Sequence, residues 1–205
     1  MALADNALTT IATCEAELGL TASAQDALLT RYINGASDII EQYIGRSLYN
    51  DGAAVEDVPG AKDAFLFVDR SPIVSITSIV WLGDNGTVDA STYSVWDADA
   101  GMIYRADGWE PTKISATAFQ RYRVTFDGGY VTPEQGGTRT LPFDIENVCV
   151  DLVNIMWRQK GADPTVKSES VLNTSISYDR SGMLTGAMMR VLDAYRRHDM
   201  LTSGV

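Results

Sequence analysis

The residues of this chain that could perform chemistry are few and lie far apart. Asp97 and Asp99 are two nearby carboxylates in a turn-rich stretch, a pattern that could serve glycoside hydrolysis or contribute calcium ligands. Calcium needs further oxygen ligands at loop spacing, and Asp107 and Glu110 do not form such a pattern. We therefore predict that Asp97 and Asp99 are turn-forming residues between strands.

The remaining reactive side chains do not form a catalytic pattern either. His198 is the single histidine and follows two arginines near the end of the last predicted helix, where it suits the helix C-terminal dipole or contact with a partner. Cys14 and Cys149 are the two cysteines, and we predict that both are buried as small apolar residues. Phosphate-loop, nucleophile-elbow, His-Glu-x-x-His and Cys-x-x-Cys motifs are missing from the sequence. We predict no enzyme, no cofactor and no metal site.

Five aromatic residues of the middle region offer a different possibility. They are Trp81, Tyr93, Trp96, Tyr104 and Trp109. Together they could form a stacking platform for sugar rings, which would make the protein a carbohydrate-binding module. The preferred interpretation is that they form the core and one face of a small β lobe.

The charge of the chain restricts its partners. Its 205 residues carry a net charge of −11, and residues 1–60 hold nine acids but only two bases. An acidic surface repels nucleic acid at long range, which argues against DNA binding through a basic patch. The same repulsion would suit a conduit through which DNA slides without sticking. Neither a signal peptide nor a membrane span is predicted, and the cysteine usage indicates a reducing cytosol.

Hydrophobic spacing predicts helices at both ends of the chain. Asp5 or Asn6 can cap a first helix that runs to Leu18. Ser23 can cap a second helix that ends at Ile44, and this helix has an apolar stripe at three- and four-residue steps. The stripe comprises Leu28, Leu29, Tyr32, Ile33, Ala36, Ile39, Ile40, Tyr43 and Ile44.

The rest of the chain is β-rich and then helical again. A loop is predicted at 50–60, followed by strands at 64–68, 73–82, 93–96, 102–105 and 121–126. A helix begins near Pro142, with Asp144 and Glu146 near its positive end. A polar stretch at 162–169, a strand at 171–178 and a last helix at 185–197 complete the pattern.

The predicted fold class is therefore α+β: mainly a helical bundle of about four helices with an inserted β-rich lobe. Residues 1–49 and 133–205 are predicted to form the helical bundle with a C-terminal arm, and residues 50–132 the lobe.

Four segments, in this order, resemble a known family. Ile-Ile-Glu-Gln-Tyr-Ile-Gly-Arg-Ser-Leu at 39–48 closes the long helix, and Leu-Phe-Val-Asp-Arg-Ser-Pro-Ile-Val-Ser-Ile-Thr-Ser at 66–78 opens the β region. Tyr-Arg-Val-Thr-Phe-Asp-Gly-Gly-Tyr follows at 122–130, and Leu141-Pro142 opens an apolar helix. Over residues 7–198 the chain resembles the head–tail connector (adaptor) proteins of tailed bacteriophages and phage-like particles.

The resemblance implies a non-enzymatic virion protein of the neck, made in the host bacterial cytoplasm. Such proteins form a dodecameric ring beneath the portal protein, extend the DNA channel and dock a stopper or tail-completion protein. Double-stranded DNA passes through the ring without sequence-specific binding, and no membrane is involved. In several members the C-terminal segment grips the portal, so the resemblance gives as portal-contact candidates Tyr195, Arg196, Arg197, His198, Met200 and Leu201.

Three alternatives stay open at this point. The first is another neck or tail-completion protein, a stopper or a terminator, although the order of helix pair, β lobe and helix disfavours it. The second is the carbohydrate-binding module, and the third is a hydrolase that uses Asp97 and Asp99.

Overall fold

Two compact units make up the chain in the computed structural model. The structure describes residues 2–20, 25–60, 63–83, 85–109, 121–160, 168–171, 174–177 and 184–196. The first unit combines Met1–Gly45 with Leu141–Val205, and the second is Arg46–Thr140. We refer to them as the helical unit and the β unit. The domains expected from the sequence, 1–49 with 133–205 and 50–132, have somewhat different bounds and stay a prediction.

The described part of the helical unit contains four helices: α1 (Ile11–Leu18), α2 (Asp26–Ile44), α3 (Phe143–Arg158) and α4 (Gly186–Asp193). Helices α2 and α3 contact each other, and each of them also contacts α1 and α4. The predicted stripe supplies much of this core, since five of its members are among the buried residues of α2, which are Leu29, Thr30, Ile33, Ala36, Ser37, Ile40 and Ile44. Burying one large aliphatic side chain contributes roughly 1.5–3 kcal/mol, so the stripe holds the helices together.

The first helix begins later than the sequence predicted. Thr10 is its N-cap, because the Thr10 hydroxyl oxygen accepts a hydrogen bond from the Thr13 backbone N–H at 3.1 Å. The predicted cap Asn6 is used differently: its side-chain amide donates to Asp38 at 3.1 Å and to Glu41 at 2.8 Å on α2. The second predicted cap, Ser23, lies outside the described residues.

The β unit is built from two antiparallel sheets. In chain order its strands are β1 (Ala54–Pro59), β2 (Phe65–Phe67), β3 (Ile73–Trp81), β4 (Gly86–Thr87), β5 (Tyr93–Asp97), β6 (Met102–Arg105) and β7 (Arg121–Gly128). The larger sheet has the order β1-β7-β3-β4 and the smaller one β2-β6-β5. One apolar core lies within the unit, and its buried members are Ala54, Leu66, Val68, Ile73, Ile79, Ile103, Trp109, Tyr122, Val124 and Phe126.

Strand β1 corrects the prediction of a loop at 50–60. Its six residues pair antiparallel with β7, from Ala54 opposite Phe126 to Pro59 opposite Arg121. A proline lacks the N–H that a central strand needs, but it is tolerated at the edge of a sheet, where β1 lies. The five strands that were predicted are confirmed within two residues at each end.

The segment near residue 170 forms a hairpin rather than the single strand predicted at 171–178. Strands β8 (Ser168–Val171) and β9 (Thr174–Ser177) pair antiparallel with each other, and they make up a two-stranded sheet of their own. The last helix is shorter than predicted, since α4 ends at Asp193 and not at Arg197. The α+β class with a β lobe is confirmed.

Candidate functional site

The C-terminal end of α4 carries two of the residues that sequence analysis singled out for contact with a partner. Tyr195 and Arg196 follow Ala194, the C-cap of α4, and Arg196 is exposed. The other four candidates, Arg197, His198, Met200 and Leu201, lie outside the described residues. What the structure defines is therefore the point from which the C-terminal segment departs.

Two tyrosine–aspartate hydrogen bonds fix this end of α4. The Tyr195 hydroxyl donates to the carboxylate of Asp144, with its oxygen 2.9 and 2.8 Å from the two carboxylate oxygens. The Tyr43 hydroxyl donates to Asp193 at 2.7 Å. Since Asp144 lies in the first turn of α3 and Tyr43 in the last turn of α2, the end of α4 is joined to both long helices. Both hydrogen bonds lie on an exposed surface, where water competes with them, so each contributes less than the same bond would in the interior.

The body of α4 is held by its own capping and by its apolar side. The Thr185 hydroxyl accepts a hydrogen bond from the Met188 backbone N–H at 3.3 Å, which makes Thr185 the N-cap. Met188 and Leu192 are buried, one turn apart on the same face. A helix of only eight residues is marginal alone, so these contacts determine its position.

Tyr43 contacts a carboxylate through its hydroxyl group and a cation through the face of its ring. The hydrogen bond to Asp193 raises the pKa of Tyr43 above its ordinary value, because the neutral hydroxyl is the form that can donate to a carboxylate. The Arg196 guanidinium lies 5.6 Å from the centre of the same ring, within the range of a cation–π contact. The sequence placed Tyr43 only in the apolar stripe. Its hydrogen bond to Asp193, 150 positions away, could not be predicted from the neighbouring residues.

The two aspartates considered for hydrolysis lie where strand β5 ends and a turn begins. Asp97 accepts a hydrogen bond from the Ala100 backbone N–H at 3.0 Å, the usual pattern of a turn aspartate. The backbone carbonyl of Asp99 accepts from the Ser71 hydroxyl at 2.8 Å. The predicted role of these residues in a turn between strands β5 and β6 is confirmed.

The five aromatic residues divide into two groups. Trp109 is fully buried; its indole N–H donates to the Ala64 carbonyl at 3.2 Å, and its ring meets Tyr122 edge-on at 5.1 Å. Trp96 is 65% exposed on the smaller sheet, where it contacts Phe65 at 5.9 Å and Tyr104 at 5.6 Å between ring centres.

The exposed aromatic group does not form a flat platform. The planes of Trp96 and Phe65 meet at 68°, and those of Trp96 and Tyr104 at 44°. Stacking on a sugar ring requires an open ring face, and tilted rings of this kind pack mainly on each other. The geometry therefore favours a role for these rings in packing over a sugar platform.

Both cysteines are buried in the helical unit, as predicted. Burial is the main cause that raises the pKa of Cys14 to about 11 and that of Cys149 to about 12, and the charge of Glu146 adds to both shifts. Thiols with such pKa values are protonated at neutral pH, so they are poor nucleophiles and metal ligands. Within the described ranges, no group of three or more His, Cys, Asp or Glu side chains could hold a metal ion.

Solved structures share this fold. A chain from the neck of an empty GTA particle with C6 symmetry is 15% identical, with a TM-score of 0.62 over 98% of this chain and 96% of that one. A chain from the neck of the native GTA particle with C12 symmetry is 16% identical, with a TM-score of 0.60 over 98% and 95%. A chain from the virion of the native gene transfer agent (GTA) particle is also 16% identical, with a TM-score of 0.61 over the same shares. These likenesses show that the chain has the same α+β fold as those three chains.

The family model of the head completion proteins matches residues 7–198. The chain belongs to the head completion protein family. This result confirms the prediction of a phage head–tail connector family, and with it the virion as the place where the protein acts. No curated protein sequence matches the chain significantly. Of the helices in the described part of the chain, none is long and apolar enough to cross a membrane.

Proposed function

We propose that this protein is a structural head–tail adaptor, and not an enzyme, in the neck of a tailed phage or phage-like particle. It forms a ring of twelve copies beneath the portal protein, extends the DNA channel and docks a stopper or tail-completion protein. Membership of the head completion family supports the assignment to the head–tail junction. The likeness to a neck structure with C12 symmetry supports the ring.

The helices of the adaptor act as one bundle that presents the C-terminal segment to the portal. Two hydrogen bonds carry this part of the proposal, one from Tyr43 to Asp193 and one from Tyr195 to Asp144. They hold the end of α4 on two other helices, so that the residues that follow start from a fixed point. Portal contact is then made by Tyr195, Arg196, Arg197, His198, Met200 and Leu201.

The acidity of the chain suits the channel. Residues 1–60 carry nine acids and two bases, and a surface of this sign does not retain DNA that moves past it. The β unit, with its exposed turns, offers a surface for neighbouring components. No cofactor takes part.

The test is co-sedimentation of the purified protein with the portal ring encoded in the same genome, with stoichiometry from native mass spectrometry. We expect saturation at one copy per portal subunit. Deletion of residues 200–205 and the substitution Arg197→Glu should each weaken binding, since both alter the C-terminal segment. Arg190→Glu is the matched control, because Arg190 is exposed on α4 itself and precedes the anchored end.

One result would contradict the adaptor role, and another would contradict only the residues proposed for portal contact. A well-folded protein that does not bind the portal ring would favour a later neck position, that of a stopper or terminator. Binding that survives both the deletion and Arg197→Glu would leave the adaptor role standing and move the portal contact to another surface.

A further inference from the structure

We infer that strand β9 of one copy adds to the free edge of strand β5 in a neighbouring copy, and that this strand exchange links the ring. The inference rests on the proposed function for its ring. It also rests on two observations of this chain: an edge strand that has little protection and a hairpin that pairs with no other described strand.

Strand β5 is an exposed edge. It is the outer strand of the order β2-β6-β5, and within the described residues no other strand pairs with its free side. Tyr93 is half-buried and the four residues after it are exposed, including Val95 at 39% and Trp96 at 65%. Edge strands are normally protected by lysine, proline or inward-pointing charge, and only Asp97, at the end of β5, is charged.

The other long strands with an open side are better protected. Strand β1 contains Glu56, Asp57 and Pro59, and the Glu56 carboxylate accepts hydrogen bonds from the backbone N–H groups of Asp69 and Arg70 at 2.6 and 2.9 Å. The pairing of β3 with β7 is broken by two register shifts, which twist an edge away from a flat partner. Strand β5 has one such shift, between Val95 and Asp97, so that Tyr93–Val95 remains regular.

The hairpin β8–β9 supplies the complementary part. Its strands pair only with each other among the described strands, and a two-stranded hairpin is marginally stable in water until a third strand or a packing surface joins it. Within one chain, β8–β9 and β5 belong to different sheets. The partner that satisfies both is therefore a second copy, and in a ring each surface meets a different surface of its neighbour.

Charge selects β9 over β8 as the joining strand. Strand β8 contains the acidic residue Glu169 and β5 ends at the acidic Asp97, so a pairing of β8 with β5 would bring like charges into adjacent strands. Strand β9, with the sequence Thr-Ser-Ile-Ser, has no charged residue, and its four residues are enough to span the three-residue regular part of β5. Main-chain hydrogen bonds would then provide the affinity, as in other cases of strand addition.

Disulfide trapping between copies tests the inference. Full-length Ser94→Cys protein is mixed with Ser175→Cys or Ser177→Cys protein, oxidised mildly and run on a non-reducing gel, both in solution and on the portal ring. Only a link between copies can join two different variants. Ser75→Cys is the matched control, because Ser75 is an exposed serine on β3, another strand with an open side. The native thiols are buried and do not compete.

We expect the Ser94→Cys mixtures to give about tenfold more covalent dimer than the Ser75→Cys mixtures, since adjacent strands bring Cα atoms within disulfide range. Ser94→Lys should weaken self-association roughly tenfold, while Ser75→Lys leaves it unchanged, because a lysine on an edge strand disfavours strand addition.

Several outcomes would overturn the inference. The first is that the Ser75→Cys and Ser94→Cys mixtures give equal amounts of covalent dimer. The second is that an oligomer or a portal-bound ring forms without any disulfide at Ser94→Cys. The third is that the double variant Ser94→Cys/Ser175→Cys forms its disulfide only within single chains. Portal binding without the link would leave the adaptor role standing and remove the strand exchange. The link without portal binding would support the strand exchange and count against the adaptor role.

Discussion

The Thr9 hydroxyl donates a hydrogen bond to the carboxylate of Glu146 at 3.1 Å, inside the helical unit and across 137 positions of sequence. Glu146 is only 7% exposed although it lies in the first turn of α3, where the sequence placed it simply as a favourable charge near the helix N-terminus. A buried carboxylate needs hydrogen bonds to replace those lost from water. Thr9, itself fully buried, is one of the groups that provide them.

Removing this donor should destabilise the protein. Thr9→Val keeps the volume but takes away the hydroxyl, so we expect the free energy of unfolding to fall by about 1–3 kcal/mol. Thr77→Val, at an exposed threonine of β3, should change it by less than about 0.5 kcal/mol. Chemical denaturation of both variants provides the measurement. Equal stabilities would mean that other groups satisfy Glu146 by themselves.

Gly129 should tolerate no side chain. Its φ is +100°, and a Cβ added there would lie 2.7 Å from the Tyr49 carbonyl oxygen and 3.0 Å from that of Leu48. Gly136 also has a positive φ, +73°, but open space surrounds it. Gly136→Ala should therefore lower the free energy of unfolding only through backbone strain, by about 1–3 kcal/mol. We expect a clearly lower melting temperature for Gly129→Ala than for Gly136→Ala. The same melting temperature for both would show that the chain at residues 48–49 moves without cost.

The buried thiols should react only when the protein unfolds. Burial raises the pKa of Cys14 to about 11 and that of Cys149 to about 12, and the thiolate is the reactive form. Titration with a chromogenic disulfide reagent at pH 8 should detect no thiol in the native protein and two in guanidinium chloride. Rapid reaction of a native thiol would contradict the buried positions of these residues.

The charge of Asp51 should stabilise the folded protein at neutral pH but not in acid. Burial acts to raise its pKa, but the neighbouring Arg70 guanidinium, 2.5 Å away, and the Ala53 backbone N–H outweigh this effect and lower it. A carboxyl whose pKa is lower in the folded state stabilises the fold above its unfolded pKa of about 4, and this contribution is lost as the pH falls through the folded value. Asp51→Asn should therefore be less stable than the parent protein at pH 7, with a difference that shrinks below pH 4.

The control for this pH dependence is Asp107→Asn, at an exposed aspartate of the same unit. The free energy of unfolding should be measured from pH 7 to pH 3. The difference between Asp107→Asn and the parent protein should stay the same over this range. A constant difference between Asp51→Asn and the parent over the whole range would refute a role for the charge of Asp51.

Local patterns were sufficient to predict most of the secondary structure. The stripe that includes Ile33 and Ile40 marked α2 because apolar spacing at 3.6 residues per turn is a property of the helix itself. Strand β6 was predicted with its observed bounds, since two turn-rich segments flank it. Strand β1 was missed because its acids and Pro59 are typical of loops, and only its pairing with β7 makes it a strand.

The candidate site was harder to predict because its contacts join distant parts of the chain. No spacing rule pairs Tyr43 with Asp193, although the sequence did place the site near the end of the last helix. Trp96 and Trp109 looked equivalent in the sequence, yet one is exposed at a sheet edge and the other is fully buried. Which of two tryptophans a sheet covers depends on strand order, and strand order is a property of the whole unit.

The insertion of the β unit between α2 and α3 determines the order in which the parts can fold during synthesis. All of Arg46–Thr140 leaves the ribosome before the first residue of α3, so the β unit can complete its core while the nascent chain is still growing. The apolar stripe of α2 must wait for α3 to be translated, about a hundred residues later. In this interval α2 has only α1 to pack against, so it is the segment of the nascent chain on which a holdase chaperone would act.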